Sequence, residues 1–154
     1  MQYWLFKSEP DAFGIDDLAA ATGKTACWDG VRNYQARNYM RDQMKVGDQG
    51  FFYHSSCAEP GIVGTVRIAK AAYVDPTQFD ARHHHFDAAS KPDNPRWCMV
   101  DVTLKRKFKR VITLDELRRH QGRELKELLI LKRGNRLSIT PLTPTQWQFI
   151  VGLE

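Results

Sequence analysis

The 154 residues carry 42% hydrophobic and 27% charged side chains, a balance that fits one globular domain and excludes a wholly disordered chain. No apolar run approaches the ~18 residues of a membrane helix, and the opening MQYWLFKSEP reaches a lysine and a glutamate within nine residues, unlike a signal peptide. The net charge of +5 is uneven: residues 1–90 hold 9 basic and 11 acidic side chains, residues 91–154 hold 14 and 7, so a polyanion partner competes with a merely solvated surface as its explanation.

Taken in order, the alternation of Tyr3, Leu5 and Lys7 with Trp4 and Phe6 predicts a strand over residues 2–7. Ile15 to Ala21 reads as a short helix with Asp16 and Asp17 in its first turn. Trp28-Asp-Gly-Val-Arg-Asn33 reads as a turn, since Gly30 permits a sharp bend and no regular period explains Trp28. Gln35 to Met44 is a second helix, and Gly50 to Ser55 an aromatic strand. Gly61 to Val74 is strand-like. The clearest alternation sets Cys98, Val100, Val102 and Leu104 inward against Met99, Asp101, Thr103 and Lys105, and runs on to Val111 and Ile112. Thr113 to Glu116 and Thr143 to Gln146 are capping boxes, the second with Pro144 at the first helical position. A short strand is expected over Arg136 to Ile139. Short strands with small terminal helices predict an α+β fold around a curled sheet or small β-barrel.

Four chemistries compete. Aromatic residues (Trp4, Trp28, Tyr34, Tyr53, Trp97) interleave with Lys7, Ser8, Arg32, Asn33, Arg37, His54 and Ser55. A nucleobase site asks for this mixture: flat walls, with stacking worth about 1–3 kcal/mol per base, and a few fixed donors and acceptors. The alternative for Trp28 is a plug at the end of the barrel. Lys105-Arg-Lys-Phe-Lys-Arg110 either neutralises phosphates or guards a strand edge with charge. His83-His-His85, or His54 with Cys57, could ligate a metal, but the three histidines fall in a polar segment read as a loop, so no metal site is expected. His54 with Cys57 or Ser55 could form a nucleophile–base pair, although strand neighbours point to opposite faces. Neither a Gly-x-Ser-x-Gly elbow nor a Gly-rich phosphate loop occurs. Three widely spaced cysteines (Cys27, Cys57, Cys98) make no disulfide framework and suit a reducing, cytoplasmic setting.

In chain order, Trp4-Leu-Phe-Lys-Ser-Glu-Pro10, Trp28 to Asn38, Lys45-Val-Gly-Asp48, Phe52 to Ser55, Gly61 to Gly64, Asp93 to Trp97 with Val100-Asp-Val102, and Arg136 to Ile139 with Pro141 span nearly the whole sequence. Together these segments resemble the EVE-domain family. The resemblance implies a PUA-like fold, a small β-barrel with peripheral helices, akin to the YTH domains that read methylated adenine in RNA. It implies a non-catalytic single domain over residues 1–154 that reads a modified base, such as a modified cytosine or adenine, in DNA or RNA. No cofactor, membrane contact or oligomer is implied.

By that resemblance the pocket at the barrel mouth draws on Lys7, Ser8, Trp28, Val31, Asn33, Tyr53, His54, Ser55 and Arg136. Trp28 would stack on the base, and Asn33, Ser8 or Ser55 would bond its edge. Arg32, Arg37, Lys105 and Lys107 would meet phosphates. Many relatives carry two tyrosines before the aspartate at Asp87, where this chain has His84-His85-Phe86; if that loop rims the pocket, the base preference changes with it. The alternative on the same fold is an enzyme or small-metabolite-binding module of nucleotide or RNA metabolism.

Overall fold

Two long antiparallel strands, β4 (Gly61–Val74) and β5 (Cys98–Thr113), form the middle of the sheet in the computed structural model, which describes residues 1–154. Four register shifts break their ladder, and each bulge bends the strand and adds twist. Short strands complete the sheet: β1 (Tyr3–Ser8), β2 (Thr25–Trp28), β3 (Gln49–His54) and β6 (Ile139–Leu142). The order is β2-β5-β4-β3-β1-β6, with β1 parallel to β3 and every other pair antiparallel. The ladder stays open: β2 and β6 pair on one side only, so the sheet is not closed into the expected barrel.

The alternation of β1 is the key to the interior. Trp4 and Phe6 point to one face, into a cluster with Trp28, Phe52, Val100 and Val102. Leu5 points to the other, into a cluster with Phe51, Tyr53, Phe108, Leu125 and Trp147. The sheet is thus covered on both faces, with α5 (Pro144–Val151) bringing Trp147 and Ile150 to the second. A buried carboxylate, Asp48, ties the start of β1 down: it accepts from Gln2 N at 3.1 Å, Trp4 Nε1 at 3.2 Å and Lys45 N at 3.0 Å. No helix is long and apolar enough to cross a membrane.

Local chemistry sets the remaining elements. Helices α1 (Pro10–Phe13) and α2 (Ile15–Ala20) follow β1, and α4 (Leu114–Arg118) is capped by Thr113, whose side chain accepts from Glu116 N. Thr143 and Gln146 close the expected capping box of α5. The helix expected over Gln35 to Met44 is two pieces: α3 (Tyr34–Asn38) and a wider π turn, Tyr39–Gln43. The strand expected over Arg136 to Ile139 begins later, because Asn135 Oδ1 takes Leu137 N at 2.9 Å and keeps Arg136 in a turn. Trp28 is the last residue of a strand and not part of a turn.

Candidate functional site

A cavity of about 440 Å³ opens where β1 and β2 end. Lys7 and Ser8 come from β1, Phe13 from α1, and Cys27 and Trp28 from β2; the turn Asp29 to Arg32, the His83–His85 segment and Ser138 complete it. Trp28 is only 7% exposed. It meets Phe6 and Phe52 edge-on at 5.2 and 5.4 Å between ring centroids, so the same indole fills the core and faces the cavity. Burial pushes the Lys7 ammonium below its ordinary value. Burial also raises the Cys27 thiol, with Asp29 and Asp101 adding to the effect, which makes it a poor nucleophile.

Asp75, at the end of β4, organises the wall. Its fully buried carboxylate accepts from Gly30 N at 2.9 Å, Arg32 Nη1 at 3.0 Å, Thr77 N at 2.8 Å and Thr77 Oγ1 at 2.5 Å. Burial alone would raise its pKa, but the bonds from Thr77, Gly30 and Arg32 outweigh it and hold the group below the ordinary range. Arg32 also donates to His85 O, Val31 O and Thr77 Oγ1. The turn needs its glycine: Gly30 has φ +78°, and a Cβ there would lie 2.4 Å from the His85 ring.

The histidine segment is an anchored rim. Asp87 N donates to Gln78 O at 3.0 Å, and Asp87 Oδ2 accepts from Trp97 Nε1 at 2.7 Å. Buried Gln78 in turn receives Ser90 Oγ and Trp97 N on its Oε1. Within the rim the His84 and His85 rings are 4.0 Å apart, and His83 stacks on His84 at 4.7 Å. One ligand atom from each of the three lies within 4.8 Å of the others, which is the arrangement in this chain nearest to a metal site. His83, however, spends its Nδ1 accepting from His85 N at 3.0 Å.

Of the residues singled out in the sequence, Lys7, Ser8, Trp28, Val31 and Arg32 come together around the cavity. Cys27 and the three histidines weighed as metal ligands line it too, while the remaining residues expected in the pocket or on phosphates lie outside its lining. Asn33 caps α3, accepting from Gln35 N and Ala36 N. Tyr53 is buried in the second cluster, and burial raises its phenol to about 12. His54 Nε2 accepts from Ile15 N at 3.1 Å, so that nitrogen is not free to activate Cys57. The half-buried Ser55 gives its N–H to Ser8 O, and Arg136 is exposed. Arg37 bonds Asn38 Oδ1 and Arg96 O and lies over the Tyr34 ring. Lys105 reaches Gln49 Oε1 at 3.1 Å and Lys107 reaches Asp16 at 2.6 Å. Lys107 also lines a second cavity of about 270 Å³ with His54, Lys109 and Arg110.

Sequence reasoning missed Asp75; it raised the histidine loop as a rim only conditionally, and the structure seats His83, His84 and His85 on the cavity. Asp75-Pro76-Thr77 does carry a local signal, an aspartate capping a one-turn helix. Its pull on Gly30 and Arg32, more than forty residues away, has none.

The chain matches the family model "EVE domain" over residues 2–153. It is 51% identical over 166 residues to thymocyte nuclear protein 1 of Danio rerio, covering 98% of this chain and 71% of that protein. It is 49% identical to the Homo sapiens protein of that name, covering 99% and 73%. Among solved structures, the human THYN1 protein in complex with 5-methylcytosine-containing DNA superposes with a TM-score of 0.95 at 47% identity, covering 99% of this chain and 97% of that one. A Pseudomonas putida protein superposes with a TM-score of 0.92 at 51% identity, covering 98% of each. The α+β, PUA-like architecture implied by the sequence motifs is therefore the architecture of this chain, and the chain belongs to the EVE domain family.

Proposed function

We propose that the chain is a non-catalytic DNA-binding module that takes a modified cytosine out of the stack and into the cavity beside Trp28. The observation that carries this is one cavity. It joins Lys7, Ser8, Trp28 and Val31 at the strand ends, in a chain that shares 47% identity and a TM-score of 0.95 with a protein solved in complex with 5-methylcytosine-containing DNA. A flipped base needs a pocket of its own shape, aromatic or apolar walls, and a few polar atoms for its edge. Trp28, Phe13 and Val31 supply the walls. Ser8 Oγ already gives its proton to Phe13 O at 2.6 Å, so towards a base it is an acceptor. Lys7, half-buried in the lining, supplies a cation.

Arg32 is committed to Asp75, Thr77 and two carbonyls and acts as part of the wall. The phosphate contacts fall to the half-buried Arg37 beside the exposed Tyr34, and to the exposed run containing Lys105 and Lys107. These add affinity without base preference. A reducing, DNA-containing compartment suits the three free cysteines.

The test is fluorescence anisotropy with short DNA and RNA oligonucleotides, each carrying one modified or unmodified cytosine or adenine, at about 50 and 200 mM salt. Tighter binding of one modified base that survives the higher salt is expected, and a Lys7→Ala, Ser8→Ala double variant should weaken it. Equal binding of all oligonucleotides, removed by salt, would leave only the basic surface.

A further inference from the structure

The rim histidines are held in different protonation patterns by the fold. His83 Nδ1 accepts the backbone N–H of His85 at 3.0 Å. An imidazole nitrogen that accepts carries no proton, so the neutral ring has its hydrogen on Nε2. His85 is the reverse case. Its Nδ1 lies 3.4 Å from Thr77 Oγ1. The Thr77 hydroxyl gives its one proton to Asp75 Oδ1 at 2.5 Å and accepts from Arg32 Nη2 at 3.2 Å. A hydroxyl has one donor and two lone pairs. The single role left for it towards His85 is to accept from Nδ1–H, and that leaves Nε2 of His85 as a bare lone pair. The chain Asp75–Thr77–His85 therefore fixes the ring as an acceptor, in the way an outer group orients a functional histidine. Both rings line the cavity.

We propose that His83 and His85 are the specificity-determining pair of this cavity: His83 Nε2–H donates to the edge of the inserted base, and His85 Nε2 accepts from it. The inference rests on the base-reading function proposed above. A donor and an acceptor in fixed places suit cytosine, which offers the N4 amino group as donor beside ring acceptors. The chemical problem they solve is thymine. Thymine carries the same C5 methyl as 5-methylcytosine but presents the O4 acceptor in place of the amino donor. An apolar wall rewards the methyl on both bases by about 10- to 200-fold and cannot separate them, whereas a hydrogen-bonding site rejects a wrong edge far more strongly.

A transition metal on the three histidines is the competing occupant. Zinc binding to His83 would have to break its bond to His85 N or displace the Nε2 proton.

The test compares single-stranded oligonucleotides with 5-methylcytosine, cytosine or thymine at one position, so that no partner base has to be unpaired. Binding is read by anisotropy, with and without EDTA, for the wild type, His83→Phe and His85→Phe. The wild type is expected to prefer 5-methylcytosine over thymine by at least tenfold. Each variant should bind 5-methylcytosine more weakly than the wild type does and bind thymine to within about threefold of 5-methylcytosine. Folded variants that still reject thymine as the wild type does would overturn the pair's role. So would loss of the wild-type discrimination on adding EDTA, which would make the cluster a metal site. A wild type that treats 5-methylcytosine and cytosine alike would overturn the base-reading function itself. Should a variant not fold, nitrogen-15 imidazole spectra of the wild type decide: an Nε2–H tautomer at His83 and an Nδ1–H tautomer at His85 are expected, and either one reversed overturns the assignment.

Discussion

Asp75 and Arg32 form an ion pair of 3.0 Å in which the carboxylate side chain is fully buried and the guanidinium is 23% exposed. The pair joins the end of β4 to the turn after β2 and so fixes one wall of the cavity. Asp75→Asn keeps the shape but leaves donors from Gly30, Arg32 and Thr77 around a weaker, half-reversed acceptor. Breaking one side of a buried pair costs about 3–5 kcal/mol. Urea unfolding should show a loss of that order, together with weaker oligonucleotide binding by the folded fraction.

Gly30→Ala attacks the same wall through the backbone. The residue sits at φ +78°, and the new Cβ would lie 2.4 Å from the His85 ring. A side chain at positive φ costs about 1 kcal/mol or more, and here the ring must move as well. A lower melting temperature and loss of base-dependent binding are expected, while the salt-sensitive binding to the basic surface persists.

Trp28→Ala removes a ring that is 7% exposed and packed against Phe6, Phe13 and Phe52. A void of this size costs about 3–5 kcal/mol. Chemical denaturation should report a loss of that order. Trp28→Phe, which keeps most of the apolar wall, should lose less stability than Trp28→Ala and is the better probe of base binding.

His54 titrates below its ordinary value because burial disfavours the cation; Asp16 pulls it up and Lys107 pushes it down by smaller amounts. As the pH falls through about 6.5, the unfolded chain takes up this proton more readily than the folded one. The stability contributed by the neutral ring and its bond from Ile15 N is complete above that pH and is lost as the pH drops through the folded value. Denaturation midpoints should fall between pH 7 and 5, less steeply for His54→Gln. Burial lowers His85 too, so the variant keeps part of the slope.

Lys107 is paired with Asp16 at 2.6 Å, both side chains being exposed. Such a pair adds little stability, but it occupies a cation that DNA could use. Asp16→Asn should tighten DNA binding several-fold at low salt and steepen the dependence of log K on log salt by about 0.9, the share of one phosphate contact. Titrations at three or more salt concentrations measure that slope directly.

Strand β5 was legible from the two-residue alternation that starts at Cys98, and the Thr143 capping box is a complete local signal; at Thr113 only half of the expected box forms, because the Glu116 carboxylate pairs with Arg110 instead of turning back to the cap. Trp28 was misplaced because β2 has only four residues, of which Trp28 alone is buried, too little for a period to appear. Lys7 and Ser8 were legible as the end of an apolar strand. Asn33, equally suggestive by type, serves its own helix as a cap. The loop character of the histidines could be read from their polar setting, but their seat on the cavity depends on Asp87, Gln78 and Trp97 meeting across the fold, and Asp75 acts on partners more than forty residues away. Whether the sheet closes is likewise a property of its two edges and not of any segment.

Lys7 N donates to Ser138 O at 2.8 Å, and both residues line the cavity. One wall of the cavity therefore forms only when segments more than 130 residues apart meet. β6, which follows Ser138, is an edge strand held by β1 alone, so a break that frees it would open the cavity while leaving the exposed cations of β5 in place.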